Sequence, residues 1–97
     1  MTSEQITAII AEIRADYQIP PYYDDKVIRR SVEQCEAELT RLNILADFVA
    51  DKVARGLLKN FVYYNLNHRD EEFEQNYQTA IKSWQLSADS TSTEAGS

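Results

Sequence analysis

The sequence predicts an all-α fold, a small antiparallel bundle of about four helices with a flexible C-terminal tail. Three observations predict it. Apolar residues recur at spacings of three and four along most of the chain, the period of a helix that buries one face. Only two Gly and two Pro are present, too few for the many turns of a β-sandwich. Hydroxyl and acidic residues stand just ahead of the periodic runs, where the free N–H groups of a helix start need acceptors.

The first helix is expected over about residues 3–17. Ile6, Ile9, Ile10, Ile13 and Tyr17 fall on one stripe roughly 100° wide. Thr2 and Gln5 have the spacing of a capping box. Ile19-Pro20-Pro21-Tyr22-Tyr23 ends this helix, because a proline pushes the residue before it out of the α region. The second helix is expected over about 25–42, with Asp24 or Asp25 as N-cap. Its apolar residues Ile28, Val32, Cys35, Leu39 and Leu42 make a narrow seam for packing against one neighbour.

The third helix is expected over about 47–66. Val49, Val53, Leu57, Leu58, Phe61, Val62 and Leu66 cover well over half its circumference, which puts it at the centre of the fold or against a partner. Gly56 lies mid-helix at a cost of about 1 kcal/mol relative to Ala, so a close backbone approach is expected there. Asn65 and Asn67 favour a break. The fourth helix is expected over about 69–85. Asp70, Glu71, Glu72 and Glu74 complement the positive end of its dipole. Phe73, Tyr77, Ala80, Ile81 and Trp84 form its apolar stripe, and Leu86 falls off that stripe. Residues 1–87 are thus expected to form one helical domain. Residues 88–97 are small and polar and are expected to be a disordered Ser/Thr-rich tail.

Ninety-seven residues make one domain with a modest core. The formal net charge of −6 disfavours general phosphate binding, which relies on an excess of Lys and Arg. One Cys cannot form an internal disulfide and fits a reducing compartment. The N-terminus has no basic segment followed by an apolar one, so no signal peptide is expected. No run approaches the roughly 18 apolar residues of a membrane span, so no membrane partner is expected.

Several patterns could carry chemistry, and each has a plainer structural reading. Cys35 and His68, the sole thiol and imidazole, would have to meet in space to act as a nucleophile pair. Cys35 lies in the seam of helix two, where a thiol fills space as a small apolar group. His68 and Glu72 have ligand spacing on a helix, but acids at a helix start already have a capping role. Pro20-Pro21-Tyr22-Tyr23 has the pattern that WW domains bind, yet it lies where prolines serve as helix breakers. The tyrosines could stack on single-stranded nucleic acid, but Tyr17, Tyr22 and Tyr23 lie among Asp16, Asp24 and Asp25. Arg29, Arg30, Arg55 and Lys59 could form a basic patch. Glu33 and Asp51 stand four residues from Arg29 and Arg55, so solvated pairs along each helix are the expected arrangement. No catalytic residue, cofactor or metal ligand is assigned, and a non-enzymatic role is expected.

Tyr23-Asp24-Asp25-x-x-Ile28 opens the second helix. Ala54-Arg55-x-Leu57-Leu58-Lys59-Asn60-Phe61-Val62-x-Tyr64 fills the third. Asn67, Glu71-Glu72-Phe73-Glu74-x-Asn76-Tyr77 and Trp84-Gln85-Leu86 follow. Through these residues the chain, over roughly 6–87, resembles the small helical head–tail connector (head-completion adaptor) proteins of bacteriophages with long tails. The resemblance implies a virion protein of the head–tail junction, made in the host bacterial cytoplasm. It implies a ring, commonly about twelvefold, beneath the portal protein. Such a ring extends the channel through which genome DNA passes without specific binding and offers a platform to a stopper or tail-completion protein. By that analogy Ile81, Trp84, Gln85, Leu86 and Ser87 are expected at the portal interface. Helices two and three are expected to supply the subunit interface, with Arg29, Arg30, Asp51, Arg55 and Lys59. The alternative is a small helical regulatory or adaptor protein that binds a single partner without forming a ring.

Overall fold

The computed structural model describes residues 1–96, with side chains through residue 86. Four helices follow one another: α1 Ser3–Tyr17, α2 Asp25–Leu42, α3 Lys52–Leu66 and α4 Asp70–Gly96. There is no strand among the described residues. The expected tail at residues 88–97 lies outside the residues whose side chains are described.

The starts of α1, α2 and α3 are capped as the chemistry of free N–H groups requires. Thr2 and Gln5 form a reciprocal capping box, Gln5 N–H donating to Thr2 Oγ1 at 3.1 Å and Thr2 N–H to Gln5 Oε1 at 2.8 Å. Asp24 accepts from Lys26 N–H at 2.8 Å and Asp51 from Val53 N–H at 2.9 Å. Gln18 ends α1 in a left-handed conformation, φ 52°, and His68 takes φ 57° between α3 and α4. The α1–α2 connector is held by Arg14, whose Nη2 donates to Tyr23 O at 2.5 Å and to Asp25 Oδ1 at 2.6 Å. This clamp fixes the proline-containing connector to its own bundle.

α3 packs against all three other helices, which is the central place its broad apolar face implies. The α1 stripe of Ile6, Ile9, Ile10 and Ile13 is buried, as are Ile28, Val32, Cys35 and Leu39 of α2. α4 docks through an aromatic column. Phe73 stacks on Phe61 with ring centroids 4.5 Å apart and on Tyr77 at 4.8 Å, and Trp84 meets Phe48 at 6.4 Å. A polar relay pins three helices at the other end of α3. Ser31 Oγ donates to Asn65 Oδ1 at 2.5 Å, and Asn65 Nδ2 donates to Asp70 Oδ2 at 2.9 Å. Ser31 is buried, so its hydroxyl would be costly without this acceptor.

Four sequence expectations need correction. α3 starts at Lys52, five residues later than the pattern suggests, because Asp47 accepts from Val49 N–H and Ala50 N–H and turns the chain before Asp51 starts the helix. Val49 and Val53 are consequently exposed, Val53 at 60%. Leu42 and Ala80 also leave the core stripes, both being exposed. Gly56 has no close neighbour: a Cβ there would meet nothing within 4 Å. Gly56→Ala should therefore raise stability, by about 0.4–1 kcal/mol through helix propensity and lost unfolded-state freedom. Urea melts of the two proteins measure this, and a destabilised variant would show that the helix is not regular at this point.

Candidate functional site

The expected i, i±4 pairs of the basic residues do not form. Arg55 reaches instead across to α1, where Nε donates to Glu12 Oε1 at 3.1 Å and Nη2 bonds Oε2 of the same carboxylate. Lys59 joins them, with Nζ 3.2 Å from Glu12 Oε1 and 2.6 Å from Asp16 Oδ2. Arg29 Nη2 donates to Thr7 Oγ1 at 2.7 Å, again on α1. Asp51 serves as the α3 N-cap. Four of the five residues expected at a subunit interface are thus engaged within their own chain, and Arg30 is the exception. Glu12 itself gave no signal in the sequence, because a pair that depends on α1 lying beside α3 has no local spacing.

The Arg55 hydrogen bond holds the Glu12 carboxyl below its usual range, against a smaller opposing effect of desolvation, with Lys59 adding to the lowering. A carboxylate whose pKa is lower in the folded state stabilises the fold above its unfolded pKa. That contribution is lost as pH falls through the folded value. Stability should therefore decline below about pH 4.5, and Glu12→Gln should flatten part of that decline in urea midpoints measured from pH 6 to 3. Part of the decline should remain, because Asp47 is also held low by the N–H groups of Ala50 and Val49. An unchanged pH profile in the variant would remove the α1–α3 clamp from the account.

Cys35 is completely buried, and burial pushes its thiol pKa up to about 12. A thiol that stays protonated near neutral pH is a poor nucleophile. Alkylation of the native protein should proceed at the rate of unfolding, and iodoacetamide kinetics with and without urea test this; labelling as fast as free cysteine would refute it. His68 is exposed at the α3–α4 turn. Among the described residues no three His, Cys, Asp or Glu side chains converge as a metal site, and no helix is long and apolar enough to cross a membrane.

The strongest surface feature lies where the sequence pattern was silent. Residues 43–51 connect α2 to α3, and Ile44 is 83% exposed and Leu45 58%. Leu42, Val49 and Val53 flank them, all exposed. Ile44, Leu45 and Val49 border a shallow depression of about 530 Å³ shared with Met1 and Gln5 at the start of α1. Underneath, Asn43 Oδ1 accepts from Leu45 N–H at 3.0 Å and Phe48 is buried against Trp84, so the loop is anchored while its apolar tips face outward. Such a concentration differs from the scattered apolar residues of an ordinary surface and marks a contact region.

The segment expected at the portal interface meets this same end. Gln85 Nε2 donates to Leu42 O at 3.1 Å, which places this part of α4 beside the start of the loop. Trp84 is buried and Ile81 is half-buried against the core, so both serve the bundle. Gln85 is tied to it as well, through Leu42 O. Leu86 is 63% exposed and is the one residue of the group with a free apolar side chain. Ser87 lies outside the residues whose side chains are described. Comparison of the chain with protein-family models, with curated proteins and with solved structures gives no match.

Proposed function

We propose that this chain is a docking subunit of the head–tail connector kind, which seats its apolar end on a portal ring and repeats around it. The observation that carries the reading is the cluster of Leu42, Ile44, Leu45, Val49, Val53 and Leu86, all exposed, on so small a bundle. Covering it removes apolar area from water at roughly 25 cal/mol per Å². The pattern from Tyr23 to Leu86 that resembles phage connectors supports the same reading. The acidic balance suits a conduit, since a negative wall repels phosphates and lets genome DNA pass without specific binding. In this role the protein works at the head–tail junction of the virion, and its far face receives a stopper or tail-completion protein.

Mixing the protein with the portal ring encoded by the same genome, followed by electron microscopy, tests the proposal. Added density repeating around one end of the portal is the expected product. A monomer that leaves the portal unchanged at saturating concentration would overturn it. One observation favours the second reading, a helical adaptor for a single partner without a ring. Arg29, Arg55 and Lys59, which could have bonded to neighbouring subunits, are occupied within the chain. Light scattering of the complex separates the two readings by stoichiometry.

A further inference from the structure

The bundle has a second candidate contact surface of different chemistry, at the end opposite the apolar loop. It lies between the start of α2 and the α3–α4 turn, in a cleft of about 250 Å³. Its apolar lining is Val27, itself 46% exposed, and Leu66. Beside them stand half-buried Tyr23 and the exposed Arg30, Gln34 and His68, with Ser31 and Asn65, bonded to each other, completing the lining; none of the first four side chains has a hydrogen-bond partner among the described residues. The contrast with the other arginines is sharp. Arg14 is held by Asp25, Arg29 by Thr7, Arg41 by Glu38, Arg55 by Glu12 and Arg69 by Glu72. In a chain with a formal charge of −6, Arg30 keeps its guanidinium uncommitted. His68 borders the same cleft from a left-handed backbone conformation, φ 57°, which a non-glycine residue adopts at some cost. The carboxylate in this corner, Asp70, does not line the cleft, and its Oδ2 accepts from Asn65 Nδ2.

We infer that this cleft is a binding site for a carboxylate carried on an apolar group, of the size of one peptide residue. Arg30 offers the planar fork that matches a carboxylate in two parallel hydrogen bonds. His68, Gln34 and Tyr23 supply further N–H and O–H donors, and Val27 and Leu66 cover the apolar part. The volume suits a side chain with its carboxylate and is below that of a typical cofactor pocket. Phosphate alone would leave Val27 and Leu66 uncovered. A chain terminus or an Asp or Glu side chain beside an apolar residue meets the whole site. The site goes beyond the docking role proposed above and does not depend on it, because the two surfaces share no residue.

Three capped peptides test the inference by two-dimensional NMR on the full chain. Acetyl-Ala-Leu carries a terminal carboxylate, acetyl-Leu-Glu-amide a side-chain carboxylate, and acetyl-Ala-Leu-amide none. Shifts confined to the signals of Arg30, Gln34, Asn65 and His68 are expected with at least one of the carboxylate peptides, and whichever of the two binds tighter identifies the source. Arg30→Gln should weaken that binding at least tenfold. His68→Gly keeps the turn, since glycine takes positive φ freely, and should weaken binding about threefold or more. Equal shifts with the amide peptide would overturn the inference. So would saturation by inorganic phosphate at lower concentration than either carboxylate peptide, or the absence of shifts up to about 10 mM peptide, an affinity too weak to matter. Unchanged binding by both variants would overturn it as well.

Discussion

Phe73→Ala is expected to lower the unfolding free energy by about 3–5 kcal/mol. Phe73 is 1% exposed and lies in the middle of the aromatic column. Its ring stacks on Phe61 of α3 and on Tyr77 one turn later in α4, and Tyr64 tilts against it at 5.8 Å. Three flat, rigid rings around a vacated site cannot close in as flexible aliphatic chains would, so most of the cavity remains. Small domains hold roughly 5–15 kcal/mol in total, and a loss of this size brings the chain near the unfolding threshold. The midpoint and slope of a urea transition measure it. Tyr77→Phe, which keeps the ring and removes only the hydroxyl, should shift the midpoint little. If Phe73→Ala costs under about 1 kcal/mol, α4 does not dock in this register.

What the sequence made legible follows from what periodicity can encode. A repeat of three and four fixes the angle of a side chain around its helix, and for Ile6 through Ile13 and Ile28 through Leu39 the angle was enough, since a facing helix covers each stripe. Burial also needs that neighbour. Val53 has the right angle on α3 and Leu42 on α2, but each stands at a helix end where no other element covers it, and both are exposed. The caps at Thr2 and Asp24 were readable because capping is local chemistry between residues two or three apart. The Glu12–Arg55 pair was not, because its partners are 43 residues apart. The free apolar loop was hidden for a different reason. Ile44-Leu45 lies outside any helix, so no period points to it. Large apolar residues at Ile44 and Leu45, directly after the turn former Asn43, are nevertheless a signal, since a connector has no regular face that would bury successive side chains together.

That signal leads to the second large effect, Ile44→Asp, which is expected to reduce attachment to the portal ring by at least about 30-fold while leaving the fold intact. Truncating a central apolar anchor commonly costs 2 kcal/mol or more of binding, about 30-fold, and a carboxylate forced into the contact adds a desolvation cost. In the free protein Ile44 is 83% exposed, and substitutions at such positions usually change stability by no more than about 0.5 kcal/mol. Leu86→Asp should act in the same direction, because Leu86 is 63% exposed and follows Gln85, which is tied to Leu42 at the start of the loop. Trp84→Ala is no test of docking: Trp84 is buried against Phe48, and its loss should destabilise the bundle whether or not a portal is present. Thermal melts and portal co-sedimentation on the same preparations separate these outcomes. Ile44→Asp and Leu86→Asp both sedimenting with the portal as well as the parent chain would move the docking face away from this end.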